Sequence, residues 1–267
     1  GGFMWEREPV DYDGFLAIMR QTRTTKLRRR VQSACDDLLA GPKLSLEETR
    51  ESVQGLQEEL EEALLHDPAV ASLPPAQQRN ACEGLERYMV TRLRGRLLGA
   101  HVEQRQQDAA LHALILRLHF LSPHHLDIPP CRQHPHAWKE AVDALRRFGE
   151  ALTPKEKLEA SLDAARHIYS VPDLNGEGGP MSADEFLPIL ILLLIRANPP
   201  DLQSSIDFVA SFRAAKRLIG EEAYFFTHLA GAAYFIEHLD ASRLSIDPQE
   251  FERRMREDDD DEGEVEA

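Results

Sequence analysis

The stretch Ser182-Ala-Asp-Glu-Phe-Leu-Pro-Ile-Leu-Ile-Leu-Leu-Leu-Ile-Arg-Ala-Asn-Pro-Pro200 decides the fold. It opens with a capping box, in which Ser182 takes the amide three residues on and Glu185 reaches back. From Ile189 to Ile195 no polar residue follows. A helix apolar all round is buried on every side, so this one is the core pin of a domain. It is too short to span a bilayer, which needs roughly 20 apolar residues. Pro188 falls in the second turn, where it lacks the N–H that would bond the carbonyl of Asp184. The helix must bend or restart there, which leaves Asp184 on an exposed first turn above a rigid apolar rod.

Outward from the pin nearly everything reads as helix, and no segment shows sustained period-2 alternation, so no sheet is expected. Toward the N-terminus the spacing predicts helices from Asp13 to about Gln21 and from Thr25 to about Leu39, stopped at Gly41-Pro42. Ser45 with Glu48 makes a second capping box, opening a Glu-rich helix to His66 with the stripe Val53, Leu56, Leu60, Leu64. A helix from Pro74-Pro75 through Leu98 turns Leu85, Val90, Leu93 and Leu97 inward, and Gly99 breaks it. Another covers about Val102 to Leu118. The segment from His119 to His136 holds four prolines and is the main irregular connection. Helices near Trp138–Ala151 and Thr153–Ser170 follow, then a Gly-rich loop, Asp173–Pro180, the pin, and helices over about Asp201–Arg213 and Glu221–Leu239. A short helix begins after Asp247-Pro248. The fold class is all-α: an N-terminal helical bundle, residues 1–130, packed against a helical domain, residues 131–256, with an acidic tail, 257–267.

Composition narrows the partners. Of 267 residues, 42% are hydrophobic, which is globular rather than disordered. The net charge of −15 argues against nucleic acid, since phosphate binding wants Lys and Arg on one face. Part of that charge sits in the run from Glu257 to Glu266, which repels itself and is expected to stay disordered. Cys35, Cys82 and Cys131 are scattered without a C-x-x-C pair, pointing to buried thiols in a reducing compartment rather than a disulfide frame. No signal peptide or hydrophobic span is apparent, so a soluble intracellular chain is expected.

Three constellations could carry chemistry. Asp173, Asn175, Glu177, Gly178 and Asp184 fall at positions 1, 3, 5, 6 and 12 of a calcium-loop pattern. Against it stand Pro180 at position 8, Asp instead of the longer Glu at position 12, and the lack of a second copy. His119, His124, His125, His134, His136 and Cys131 crowd one irregular segment, but their spacing matches no standard zinc site. The third is the segment from Gly220 to Leu229 beside the pin. At 100° per residue Phe225, Phe226, Leu229, Ala233 and Ile236 gather on one face. Tyr224, Thr227, His228 and Gly231 collect on the opposite face, an aromatic among small residues that leaves a groove.

The texts ADEFLPILILLLIRANPPDLQSSIDFV, from Ala183, and LIGEEAYFFTHLAGAAYFIEHLDA, from Leu218, resemble the Vps-nine (VPS9) domain family. TPKEKLEASLDAARHIYS, FLSPHHLDIPP and GLERYMVTRL resemble the same family's bundle-plus-domain core, most like its plant-type members, over roughly Tyr12 to Met255. The resemblance implies a guanine-nucleotide exchange factor for a Rab-five-type small GTPase, in its GDP-bound or nucleotide-free form. It implies no covalent chemistry, no cofactor and no metal. It assigns the acidic finger to Asp184 and a GTPase-binding groove to Pro188, Asn198, Tyr224, Thr227 and His228. The first switch of the GTPase would be drawn into that groove while the finger enters the nucleotide site. Peripheral recruitment to early endosomes from the cytoplasm comes with the family. Leu192 stands where an aromatic is common, Ser205 and Phe208 replace Asn and Tyr, and His228 replaces Asn. A non-catalytic helical adaptor that holds a Rab GTPase is the alternative.

Overall fold

Capping and stop signals set most of the helix bounds in the computed structural model, which describes residues 12–171 and 181–261. Every regular element among them is helical. The chain divides into two compact units between Ala100 and His101, ahead of the division expected at residue 130.

In the first unit α1 (Tyr12–Arg20), α2 (Thr25–Ala40), α3 (Leu46–His66) and α4 (Pro68–Ala71) all pack on α5 (Pro75–Leu97). Ser45 and Glu48 form the anticipated capping box on α3, with Glu48 N–H donating to Ser45 Oγ at 3.3 Å. Of the α3 stripe, Val53, Leu60 and Leu64 are buried and Leu56 is half-buried. They face the buried Leu85, Val90, Leu93 and Leu97 side of α5. The close approach of α1 to α5 depends on Gly84. A Cβ there would lie 2.3 Å from Phe15 Cγ, so the ring occupies the space of the missing side chain. Gly99 takes φ 61° just past α5, the left-handed geometry that glycine adopts without strain.

The second unit begins with α6 (Val102–Arg117), which packs on α10 (Leu202–Phe212), α11 (Gly220–Glu237) and α12 (Pro248–Asp261). Those long-range contacts place α6 with the second unit, and no local sequence signal encodes them. Between α6 and α7 (Pro135–Glu150) the proline-rich segment makes 3-10 turns at Pro123–Leu126 and Pro130–Arg132 rather than staying wholly irregular. A box from Thr153 to Glu156 starts α8 (Pro154–Tyr169) with Pro154 in its first turn.

The pin is α9 (Ala183–Ala197), and α7, α8 and α11 surround it. Every residue from Ile189 to Ile195 is at most 3% exposed. The helix runs unbroken through Pro188, so the restart expected there does not occur. α12 also continues to Asp261, carrying helix into the acidic run expected to be disordered from Glu257. The remainder of that run lies outside the described residues. So do Asp173, Asn175, Glu177 and Gly178 of the calcium pattern.

One buried cation locks the second unit. Lys157 of α8 is fully buried and donates to the carbonyls of Phe148 (2.7 Å) and Gly149 (3.0 Å) and to Ser205 Oγ (2.9 Å). The two carbonyls belong to the last turn of α7, where unpaired acceptors and the negative helix pole favour a cation. Ser205 is thus an acceptor for a core lysine.

Candidate functional site

The site grows from the first turn of α9. Ser182 N–H donates to Glu185 Oε2 at 2.8 Å, and Glu185 N–H donates back to Ser182 Oγ at 3.3 Å. Glu185 also receives a two-pronged contact from Arg132, Nε to Oε1 at 2.9 Å and Nη2 to Oε2 at 3.3 Å. These contacts, the Arg132 bonds first, hold the Glu185 carboxyl below the usual carboxylate range. Its neighbour Asp184 is exposed and has no hydrogen-bond or ion-pair partner among the described residues. Pro188 lies half-buried one turn further on. With no N–H at Pro188, the Asp184 carbonyl lacks its usual helical donor as well.

Phe186 joins this turn to α11. It is 1% exposed and stacks on Tyr169, the last residue of α8, with centroids 4.8 Å apart and planes 14° apart. Phe225 tilts against it at 5.7 Å, and His228 meets it edge-on at 5.7 Å. Tyr224 then packs edge-to-face on Phe225 at 5.1 Å and on His228 at 4.5 Å. Such offset and edge geometries are the favoured ones for aromatic pairs. Burial, with a smaller contribution from Tyr224, pushes the Tyr169 hydroxyl pKa up. The start of α11 is tied to α8 by Lys155 and Glu222 at 2.7 Å, both about three-quarters buried or more.

The structure brings Tyr224 and His228 onto one aromatic floor with Phe186, which shares the first turns of α9 with Asp184 and Pro188. Tyr224 is 49% exposed, Thr227 is exposed and His228 half-buried, so the α11 face reaches solvent as its periodicity predicted. The Thr227 hydroxyl donates to the Ala223 carbonyl at 2.8 Å, which leaves its lone pairs outward. Asn198 is not with them. It caps the far end of α9 in the left-handed conformation, φ 40°, about 21 Å along the axis from Asp184 at 1.5 Å per residue. Its amide donates to the His112 carbonyl of α6 at 3.4 Å.

The histidine-rich segment is put to structural use. His119 donates to the Ile195 carbonyl at 2.9 Å, and His125 accepts from Ser122 N–H at 3.2 Å. Among the described residues no three His, Cys, Asp or Glu side chains gather to hold a metal ion. No helix among them is long and apolar enough to cross a membrane.

Sequence reading missed Arg132 and the floor residues Tyr169 and Phe186. Phe186 shared a face with the pin and read as core. Tyr169 ended a helix without a partner in view, and Arg132 lay in a proline-rich stretch with no periodicity.

The Vacuolar sorting protein 9 (VPS9) domain family matches residues 138–241, which contain Asp184, Pro188, Asn198, Tyr224, Thr227 and His228. Vacuolar protein sorting-associated protein 9A of Arabidopsis thaliana is 34% identical over 208 residues, 76% of this chain and 40% of that protein. The Rab5 GDP/GTP exchange factor of Bos taurus is 31% identical over 217 residues, 79% of this chain and 43% of that protein. Vacuolar protein sorting-associated protein vps901 of Schizosaccharomyces pombe is 31% identical over 197 residues, 69% and 34%. The chain thus spans less than half the length of the curated relatives it matches. With its helical architecture and the site on α9 and α11 inside the matched span, the chain is a member of the VPS9 domain family.

Proposed function

We propose that this chain is a guanine-nucleotide exchange factor that promotes GDP release from a Rab-five-type small GTPase. Asp184 acts as the acidic finger, and the face formed by Pro188, Tyr224, Thr227 and His228 receives the first switch. The observation that carries this reading is the exposed, unpartnered carboxylate of Asp184 held on a rigid buried helix beside an exposed aromatic-and-small face. The partner class is the one in the name of the Bos taurus relative, Rab5 GDP/GTP exchange factor.

The physical demand is modest. A carboxylate about 4 Å from a phosphate at an effective dielectric of 20 is worth about 4 kcal/mol per charge pair. Loss of Mg²⁺, which bridges phosphates and carboxylates in such sites, adds to this. Weakening the nucleotide by roughly 10⁴ takes about 5.5 kcal/mol, within reach of the two effects together. No bond of the nucleotide is made or broken. Action at the cytoplasmic face of early endosomes follows from the partner class.

The test is release of fluorescent GDP from several Rab GTPases with wild type and Asp184→Ala. Acceleration by wild type and its loss in the variant, at unchanged fold, support the reading. No acceleration of any Rab by wild type, or full activity in the variant, overturns it. Preference for the GTP-loaded GTPase over the nucleotide-free form would favour an adaptor instead.

A further inference from the structure

Two carboxylates stand side by side at the start of α9, and the helix N-terminus favours both. Successive helix residues point 100° apart, so only one of them can address a given partner. The fold separates them. Glu185 is engaged by the Ser182 amide and by the fork of Arg132, whereas Asp184 is engaged by nothing among the described residues. Arg132 is itself rigidly placed. Its side chain is 5% exposed, its N–H donates to the Pro129 carbonyl at 3.0 Å, and Pro129 and Pro130 restrict the backbone ahead of it. It also lies before residue 138, outside the span that the VPS9 domain family matches.

We propose that Arg132 is a positioning residue of the exchange site: by holding the Glu185 carboxylate it fixes the first turn of α9 and leaves Asp184 as that turn's one carboxylate free to meet the GTPase. This rests on the exchange reading given above. A planar guanidinium matches a carboxylate with two parallel bonds, which fixes direction as well as charge. Without it Glu185 keeps only its capping bonds to Ser182, and its uncompensated charge stands beside Asp184 as a second anion facing the docked GTPase. The role is electrostatic selection between neighbours, and it acts after the GTPase has docked.

The experiment measures GDP release from a responsive Rab across a range of exchange-factor concentrations. It uses wild type, Arg132→Gln, Arg132→Lys, the double variant Arg132→Gln with Glu185→Gln, and Asp184→Ala. Arg132→Gln is expected to lower the maximal rate about tenfold with the half-saturating concentration nearly unchanged, and Arg132→Lys to restore part of it. The double variant should recover most of the rate, because Gln keeps the capping box while removing the competing charge. Full activity in Arg132→Gln, or a double variant as slow as the single one, overturns the proposal. Wild type that accelerates no Rab sinks the exchange reading and this role with it, a result separable from the other two.

A second measurement does not depend on exchange. Side-chain carboxyl NMR titration should find Glu185 below the usual carboxylate range in wild type and higher in Arg132→Gln, where only the Ser182 bonds still lower it. An unchanged Glu185 titration overturns the proposal whatever the rates, and thermal melts establish that each variant is folded.

Discussion

Tyr169 and Phe186 stack nearly parallel, 14° apart, where the end of α8 meets the start of α9. The pair lies beneath His228 and Phe225 of α11, so three helices converge on one aromatic cluster directly under the exposed Asp184 turn. A finger residue is useful only if its base does not yield when a partner pushes back. A stack of large side chains at native packing density resists displacement, because a shift of even half an ångström forfeits much of the contact energy.

Phe186→Ala should therefore lower stability by about 3–5 kcal/mol, the range for a buried aromatic cut to a methyl. Urea denaturation of the two proteins measures it. A loss below 1 kcal/mol would mean that the floor is not packed as described.

Lys157→Met should destabilise the second unit more than its area suggests. Methionine fills most of the volume but leaves two carbonyls of α7 and the Ser205 hydroxyl without their donor. At about 1–3 kcal/mol for an orphaned buried group, the sum is about 3 kcal/mol or more. A denaturation midpoint equal to wild type would contradict this.

Acid should release the α9 cap. The Glu185 carboxyl titrates lower in the folded chain than its ordinary value, chiefly through Arg132. Its contribution is present above the unfolded pKa and is lost as pH falls through the folded one. Glu185→Gln should flatten the acid limb of stability below the usual carboxylate range, relative to wild type. Denaturation curves recorded between pH 7 and pH 3, an interval of about 4 units around the carboxylate range, check it.

Thiol reactivity should follow burial. Cys35 is fully buried and its thiol is pushed up to about 11, burial being the main cause. Cys82 is buried as well, whereas Cys131 is half-buried. Iodoacetamide at mildly alkaline pH should label Cys131 first in the native protein, with Cys35 labelled only on unfolding. Mass spectrometry of the alkylated peptides distinguishes the orders.

Local signals in the sequence determined a great deal here. Ser45–Glu48 and Ser182–Glu185 each announced a helix start through bonds spanning three residues, and both boxes are formed. The apolar run Ile189–Ile195 marked the buried centre, and the 100° spacing sorted Tyr224, Thr227 and His228 onto the outward face. Such features are readable because capping and periodicity act within one or two helical turns.

What tertiary structure alone decided lies between segments distant in the chain. Gly149 of α7 sits where a Cβ would lie 2.6 Å from the Pro200 carbonyl in the turn after α9, a contact that no pattern foretells. The grouping of α6 with the second unit and the burial of Lys157 against Ser205 are of the same kind. The stretch from Ser182 to Pro200 offered an acid above a buried rod. The Ser182 cap claims Glu185 locally, but the fork that also holds that carboxylate comes from Arg132, 53 residues away along the chain. An ion pair depends on distance in space, and sequence encodes such a distance only through the whole fold.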